Sequence, residues 1–225
     1  MNKWINLLLQ KDEGLQILLF LLVAIIFLVY PLQANGFTNL VLVKVFFSLI
    51  TVSGIWAVSG NKRHLVLVAV VSVLNLIFLW YRTVSHEPWV IVSSLIFTVL
   101  FEGLLILFVL LRTLAPGPVS LFRVQGSVVV YLLIGILFSS VYMLLYVLEP
   151  ASFNFSKPPA NVDLFQATFT YFSFITLTTI GYGDIQPTLP LSQSAAMMEG
   201  LIGQLFPAIL IARLVSQSIQ ENHKS

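Results

Sequence analysis

The chain has 225 residues, of which 58% are hydrophobic and 9% charged, with a formal net charge of +2 and no cysteine. Soluble domains carry about a quarter charged residues, so this chain cannot cover itself with polar surface and its solvent is lipid. The small net charge gives a nucleic-acid partner no electrostatic footprint. The missing thiols exclude disulfides, thiolate metal sites and cysteine nucleophiles. His64, His86 and His223 stand far apart and offer no metal-ligand spacing.

A helix crosses a bilayer core with about 20 mostly apolar residues. Candidate spans run over roughly 14–32, 37–59, 64–82, 88–112 and 127–149. The first is read as a retained anchor. Pro31, Leu32, Gln33 and Ala34 follow it instead of a small-x-small cleavage pattern, and further spans come after. Residues 113–126 contain Pro116, Gly117 and Pro118, which break helix and divide the chain. The apolar run 163–178 is too short to cross and return, which is the mark of a re-entrant segment. A sixth span, 191–217, carries Glu199, Gln204 and Arg213 and faces protein or water more than lipid. Residues 218–225 leave a short tail, so no soluble regulatory domain is expected.

Lysine and arginine placement sets the orientation. With the N-terminus cytoplasmic, Lys3, Lys11, Lys62, Arg63, Arg112, Arg123, Arg213 and Lys224 lie on or near the inner side. Arg82 and Lys157 lie outside, and Lys44 falls within a span. Both termini are therefore expected inside, with the re-entrant segment dipping in from the outer face.

The stretch TLTTIGYGD, residues 176–184, crowds glycines, hydroxyls and an acid between two apolar segments. Non-helical backbone at membrane depth is tolerated only where it is buried in protein or lines a water-filled path. Gly181 and Gly183 alternate with larger residues, and glycine reaches backbone conformations that side chains forbid. Such alternation points successive carbonyls the same way. Several copies around an axis then stack rings of carbonyl oxygens that replace the water shell of a cation. The run 163–178 fits a short helix that Asn161 or Asp163 can cap. Its carbonyl end points toward the axis and favours a cation there. Thr179 adds a hydroxyl ring, and Asp184 puts negative charge at the outer mouth.

Thr178-Thr179-Ile180-Gly181-Tyr182-Gly183-Asp184 resembles the selectivity filter of potassium channels, with isoleucine in place of valine at 180. The resemblance is strongest over about 127–217. It implies a homotetramer with a central potassium pathway. It also implies that the carbonyls of Thr179, Ile180, Gly181 and Tyr182, with the Thr179 hydroxyl, coordinate the ions, Gly183 completing the filter. Thr178 and Asp184 frame it. The expected fold is an all-α membrane protein of six transmembrane helices plus a re-entrant pore helix and filter loop. A four-helix N-terminal domain, 1–112, precedes a cytoplasmic linker, 113–126. The pore domain, 127–217, holds pore helix 163–178, filter 179–184 and inner helix 191–217.

Several side chains have two readings. In potassium channels, aromatic residues matching Tyr171 and Phe172 pack around the filter tyrosine. Here they either brace Tyr182 or pack as ordinary pore-helix residues. Gly203 lies 19 residues after Asp184 (203 − 184 = 19), which resembles the spacing of the inner-helix hinge glycine. It is either that hinge, with Pro207 kinking the helix nearby, or a close-packing position. Gln204 is the candidate for a polar cavity wall. Glu199 is an intramembrane acid. It is either a structural brace to hydroxyls at the base of the pore helix, Thr178 among them, or a direct ion or proton site.

Six spans with the pore last also resemble voltage-gated potassium channels, but the fourth span departs from that pattern. PWVIVSSLIFTVLFEGLLILFVLLR has no basic residue before Arg112 and carries Glu102 instead. Voltage sensing needs several such charges, each worth about 2.3 kcal/mol per 100 mV. Glu102 and Asn75 fall nearly level in their spans, and Lys44 has a stem long enough to reach them. These three are expected to form a polar cluster holding the first half together, with a snorkelling Lys44 the alternative.

The leading reading is a multi-pass membrane channel, passive and not driven by voltage, whose only metal is the permeant K+ at the filter. No enzyme activity, cofactor or nucleic-acid partner is expected; the partners are its own copies, lipid and potassium ions. Three alternatives stay open: a weakly selective cation channel, a potassium-transporter subunit and a non-conducting channel-like modulator. A transporter of that type needs four pore loops in one chain, and this chain has one.

Overall fold

The computed structural model describes residues 14–35, 37, 39–58, 62–85, 87–115, 121–160 and 164–222. Seven helices dominate the described residues. Helices α1 (Gly14–Gln33), α2 (Leu40–Val58), α3 (Lys62–Tyr81) and α4 (Pro88–Thr113) form the first half. Helices α5 (Leu121–Leu148), α6 (Phe165–Leu177) and α7 (Pro190–Asn222) form the second. Five of them, α1, α2, α4, α5 and α7, are long and apolar enough to cross a membrane. The apolar part of α3, Leu65–Tyr81, is shorter. The third expected span, 64–82, thus holds an apolar stretch shorter than those of the other five.

Local sequence explains the ends and irregularities. Pro88 opens α4 at a position whose N–H would have no helical partner anyway. In α1, Pro31 lacks an N–H and its ring crowds the carbonyl four residues back. A wider π turn over Ile25–Val29 relieves that crowding, and the Tyr30 N–H reaches back to the Ile25 carbonyl.

Helix α4 is the hinge plate of the subunit, packed on α3 on one side and on α5 on the other. Its buried face carries Leu95, Phe101, Leu105 and Val109. Phe20, Phe27, Val52 and Val66 point outward, as lipid solvent requires. At the far end of α4, Arg112 donates to the Ala57 carbonyl at 2.9 Å and lies 4.1 Å over the Phe122 ring. That one side chain joins α2, α4 and α5. The Arg213 guanidinium of α7 donates to the Leu114 carbonyl, so the linker starts from a point fixed to the inner helix. Pro116, Gly117 and Pro118 of that linker lie outside the described residues.

Helix α6 sits between α5 and α7. A short antiparallel pair closes the loops around it: β1 (Phe153–Phe155) pairs with β2 (Ile185–Pro187), Asn154 facing Gln186. The sequence reading contained no strand. Three-residue strands carry too little periodicity to register. Here they staple the loop before α6 to the loop after the glycine-rich stretch.

Candidate ion pathway and its supports

The backbone over 178–184 behaves as its glycines demand. Thr179, Gly181 and Gly183 take φ of 60°, 56° and 78°, so alternate residues lie in the left-handed region. Gly181 and Gly183 do this freely, whereas Thr179 does it against the steric preference of an L-residue. The N–H groups turn back toward α6. Thr179 donates to the Thr176 carbonyl at 2.9 Å, and Ile180 and Gly181 share the Ile175 carbonyl at 2.9 and 3.1 Å. Among the described residues, the carbonyls of Thr179, Ile180, Gly181 and Tyr182 accept no hydrogen bond. A single strand thus keeps its donors on the helix side and its acceptors unspent on the other. Ile180 and Tyr182 are 54% and 70% exposed on one subunit, although both are apolar or aromatic.

The C-terminal end of the stretch is tied down. The Tyr171 hydroxyl donates to Asp184 Oδ2 at 2.9 Å, and the Ser156 N–H donates to the Asp184 carbonyl at 2.9 Å. Gln186 Nε2 donates to the Gly183 carbonyl at 3.1 Å. Tyr171 therefore anchors the residue after the glycines. Phe172 does not join it. Phe172 is buried and turns into the subunit, 5.0 Å from the Tyr142 ring and 5.8 Å from Phe153. Among the described residues Tyr182 has no ring contact within this chain, and Phe172 packs inward as an ordinary pore-helix residue. The helical repeat explains the split, since consecutive residues point about 100° apart.

Glu199 is fully buried. Its Oε2 accepts from the Tyr142 hydroxyl at 2.5 Å, and its Oε1 accepts from the Ser173 hydroxyl. Ser173 also lies 2.6 Å from the Gly135 carbonyl. The expected partner was a hydroxyl at the base of α6, Thr178. Thr178 instead donates to the Phe174 carbonyl at 2.6 Å, one turn back on its own helix. The acid thus grips α6 at mid-height and clasps α5 in the same step.

Gly203 meets the lower end of α6. A Cβ there would overlap the Leu177 carbonyl oxygen. The Tyr131 hydroxyl also points to that oxygen, at 3.5 Å. This supplies a close-packing reason for glycine at 203. Gly200 has no neighbour within 4 Å of such a Cβ. Pro207 lies within an unbroken α7, and Gln204 is exposed on the subunit surface. Asn161 and Asp163, the expected caps of the short helix, lie outside the described residues. α6 begins at Phe165 with no side-chain cap from Leu164.

The polar cluster of the first half separates into parts. Lys44 Nζ donates to Thr83 Oγ1 at 2.7 Å. Asn75 Oδ1 accepts from Thr98 at 2.9 Å. Glu102 Oε1 accepts from Ser140 of α5 at 3.3 Å. Among the described residues Lys44 and Glu102 are seen on different partners, Thr83 and Ser140. Level height along three helices does not fix rotation about their axes, and Glu102 faces α5 where Asn75 faces Thr98.

Sequence reasoning missed Tyr142, Ser173, Ser139, Thr170 and Gln166. Ser139 Oγ lies 2.8 Å from Thr170 Oγ1 and accepts from Gln166 Nε2 at 3.0 Å. The signal was present: Gln166, Thr170 and Ser173 follow i, i+4 and i+7 spacing and line one face of α6. Tyr146, Phe153, Phe155, Phe165 and Phe169 fill the space beside them, with ring centroids 4.5 Å apart for Tyr146 and Phe165. Offset and edge contacts of this kind favour a rigid mount.

Residues 128–219 match the family model described as ion channel. That segment contains most of α5, all of α6, the glycine-rich strand and most of α7. Protein LctB of Bacillus caldotenax is 32% identical over 106 residues, covering 46% of this chain and 78% of that protein. No solved structure matches the chain with significance. A short helix aimed at a strand of unspent carbonyls is transport architecture, and the match falls on that architecture: the chain belongs to the ion channel family, of the potassium-channel type.

Proposed function

We propose that the protein conducts K+ passively and selectively through a pore formed by four copies of the chain. One observation carries this reading: the alternating left-handed backbone at Thr179, Gly181 and Gly183, with donors turned to α6 and four successive carbonyls unspent. One such strand cannot dehydrate a cation, because it offers oxygens from one side only. Four strands around an axis surround the ion at each level. The carbonyls of Thr179, Ile180, Gly181 and Tyr182, with the Thr179 hydroxyl, hold the ion, and Asp184 draws cations to the outer mouth.

The exposed surface supports assembly. Only 11% of the most apolar window of α7 is buried within the subunit. Leu191, Met198, Leu201 and Leu205 stand more than half exposed beside Gln204. A helix with mixed polar and apolar exposure fits a pore-lining position better than a lipid-facing one. In this reading all six helices span the membrane, both termini are cytoplasmic, and the filter opens outward. α4 carries Glu102 where a voltage sensor needs arginines, so membrane potential does not drive opening.

The test is flux from purified protein in liposomes under opposed gradients of potassium and sodium. Uptake driven by potassium and blocked by barium is the expected result. Equal sodium flux points to a weakly selective channel. No flux of either ion from tetrameric protein defeats the proposal.

A further inference from the structure

The family match leaves α1 to α4 unexplained, yet the end of α1 packs on the pore helix, and Glu102 of α4 bonds α5 beside it. Glu102 is 3% exposed and bonds Ser140. The next residue along α5, Ser139, bonds Thr170 and Gln166 of α6. Adjacent serines thus face two ways, one toward α4 and one toward the pore helix. A second route comes from α1. Tyr30 is 4% exposed, and the turn that contains it packs on α6. Tyr30 Oη and Glu102 Oε2 are both buried, and neither completes a hydrogen bond among the described residues. A cavity of about 70 Å³ lies at the same junction, lined by Lys44, Thr98, Ser140 and Gln166 among others. Its walls are mostly apolar, with these polar groups set into them, and it is large enough for water.

A carboxylate in a membrane helix has a high desolvation cost. Among the described residues its hydrogen bond goes to Ser140, on the helix that also carries Ser139, and this position calls for a mechanical reason. We propose that Glu102 is a positioning residue. Through Ser140 and the adjacent Ser139 it holds the outer half of the pore helix, so that α4 helps to set the geometry of the filter. Thr170 lies one residue before Tyr171, whose hydroxyl holds Asp184. Displacement of α6 at Thr170 therefore reaches the outer end of the filter directly.

The conduction arm of the test rests on the channel reading above, and a second arm does not. Full-length wild type, Glu102→Leu, Glu102→Gln and Ser139→Ala are purified, and hydrogen exchange of the α6 amides is followed. Loss of one net hydrogen bond, about 1 kcal/mol, accelerates exchange about fivefold. The expected result is that acceleration in α6 for Glu102→Leu and Ser139→Ala, with α2 unchanged. Glu102→Gln stays near wild type, because its amide oxygen still accepts from Ser140. In liposomes the same two variants lose discrimination between K+ and Na+, and Glu102→Gln keeps it. Wild-type exchange rates in both variants overturn the proposal. So does a Glu102→Gln as damaging as Glu102→Leu, which would assign the effect to charge. If wild type conducts nothing, the exchange arm still reads the grip. If Glu102→Leu fails to assemble, Ser139→Ala decides.

Discussion

The Tyr142 hydroxyl donates to Glu199 Oε2 at 2.5 Å, across the buried seam between α5 and α7. Neither side chain is exposed. The other carboxylate oxygen is taken by Ser173 of α6. One acid therefore ties three helices of the pore domain. Tyr142→Phe removes a donor, keeps the ring packing against Phe153 and Phe172, and leaves a buried acceptor unpaired. The cost expected is about 1–3 kcal/mol. Thermal unfolding of the purified assembly should show a lower midpoint for Tyr142→Phe and for Ser173→Ala. An unchanged midpoint in both variants would remove the tie from the account of stability.

Gly203 and Gly200 make a controlled pair on one helix. Alanine in place of an interior helical glycine ordinarily gains about 0.5–1 kcal/mol. Gly200→Ala meets no neighbour within 4 Å and should assemble at least as well as wild type. Gly203→Ala places its methyl on the Leu177 carbonyl, a backbone atom that cannot swing aside. It should lose folded, conducting protein. The readouts are yield of assembled protein and potassium flux, and opposite signs at the two positions are the expected outcome. If Gly203→Ala assembles and conducts like Gly200→Ala, packing at the base of α6 is not the reason for the glycine.

At Gly181 space and backbone can be separated. An added Cβ meets nothing within 4 Å on the subunit, yet φ is 56°. A left-handed L-residue costs roughly 1–2 kcal/mol, and Thr179 already carries that burden two residues away. Gly181→Ala should leave thermal stability of the helices nearly unchanged while abolishing selective flux. Retained selectivity in this variant would detach carbonyl alignment from the backbone conformation.

How far the sequence carried depended on the kind of signal. The helices long and apolar enough to cross a membrane, α1, α2, α4, α5 and α7, follow from apolar run length, because lipid imposes that length on each helix separately. The glycine-rich strand was legible because backbone freedom at 181 and 183 has few other uses between two spans. Partners across helices were not legible. Glu199 was expected to meet a hydroxyl on α6, and the choice between Ser173 and Thr178 turns on the rotation of α7, which no local pattern fixes. Lys44, Asn75 and Glu102 show the same limit. Their levels agree, but their helical faces point to Thr83, Thr98 and Ser140. Tyr142 was invisible because one tyrosine in an apolar helix carries no motif.

The charge content of α4 sets the last prediction. From Trp89 to Leu111 its only ionisable side chain is Glu102, and Arg112 at its end is fixed on the Ala57 carbonyl and the Phe122 ring. Work done by the field is about 2.3 kcal/mol per charge per 100 mV. Steep gating needs several charges free to move per subunit. Glu102 is buried against Ser140 and Arg112 is held at both faces, so little charge can cross the field. Planar-bilayer recordings between −100 and +100 mV, set on the order of that 100 mV scale, should give an open probability that varies weakly with voltage. Glu102→Gln should leave that weak slope unchanged. A slope equivalent to about four or more elementary charges would mean that other groups move, and would return the first four helices to the role of a sensor.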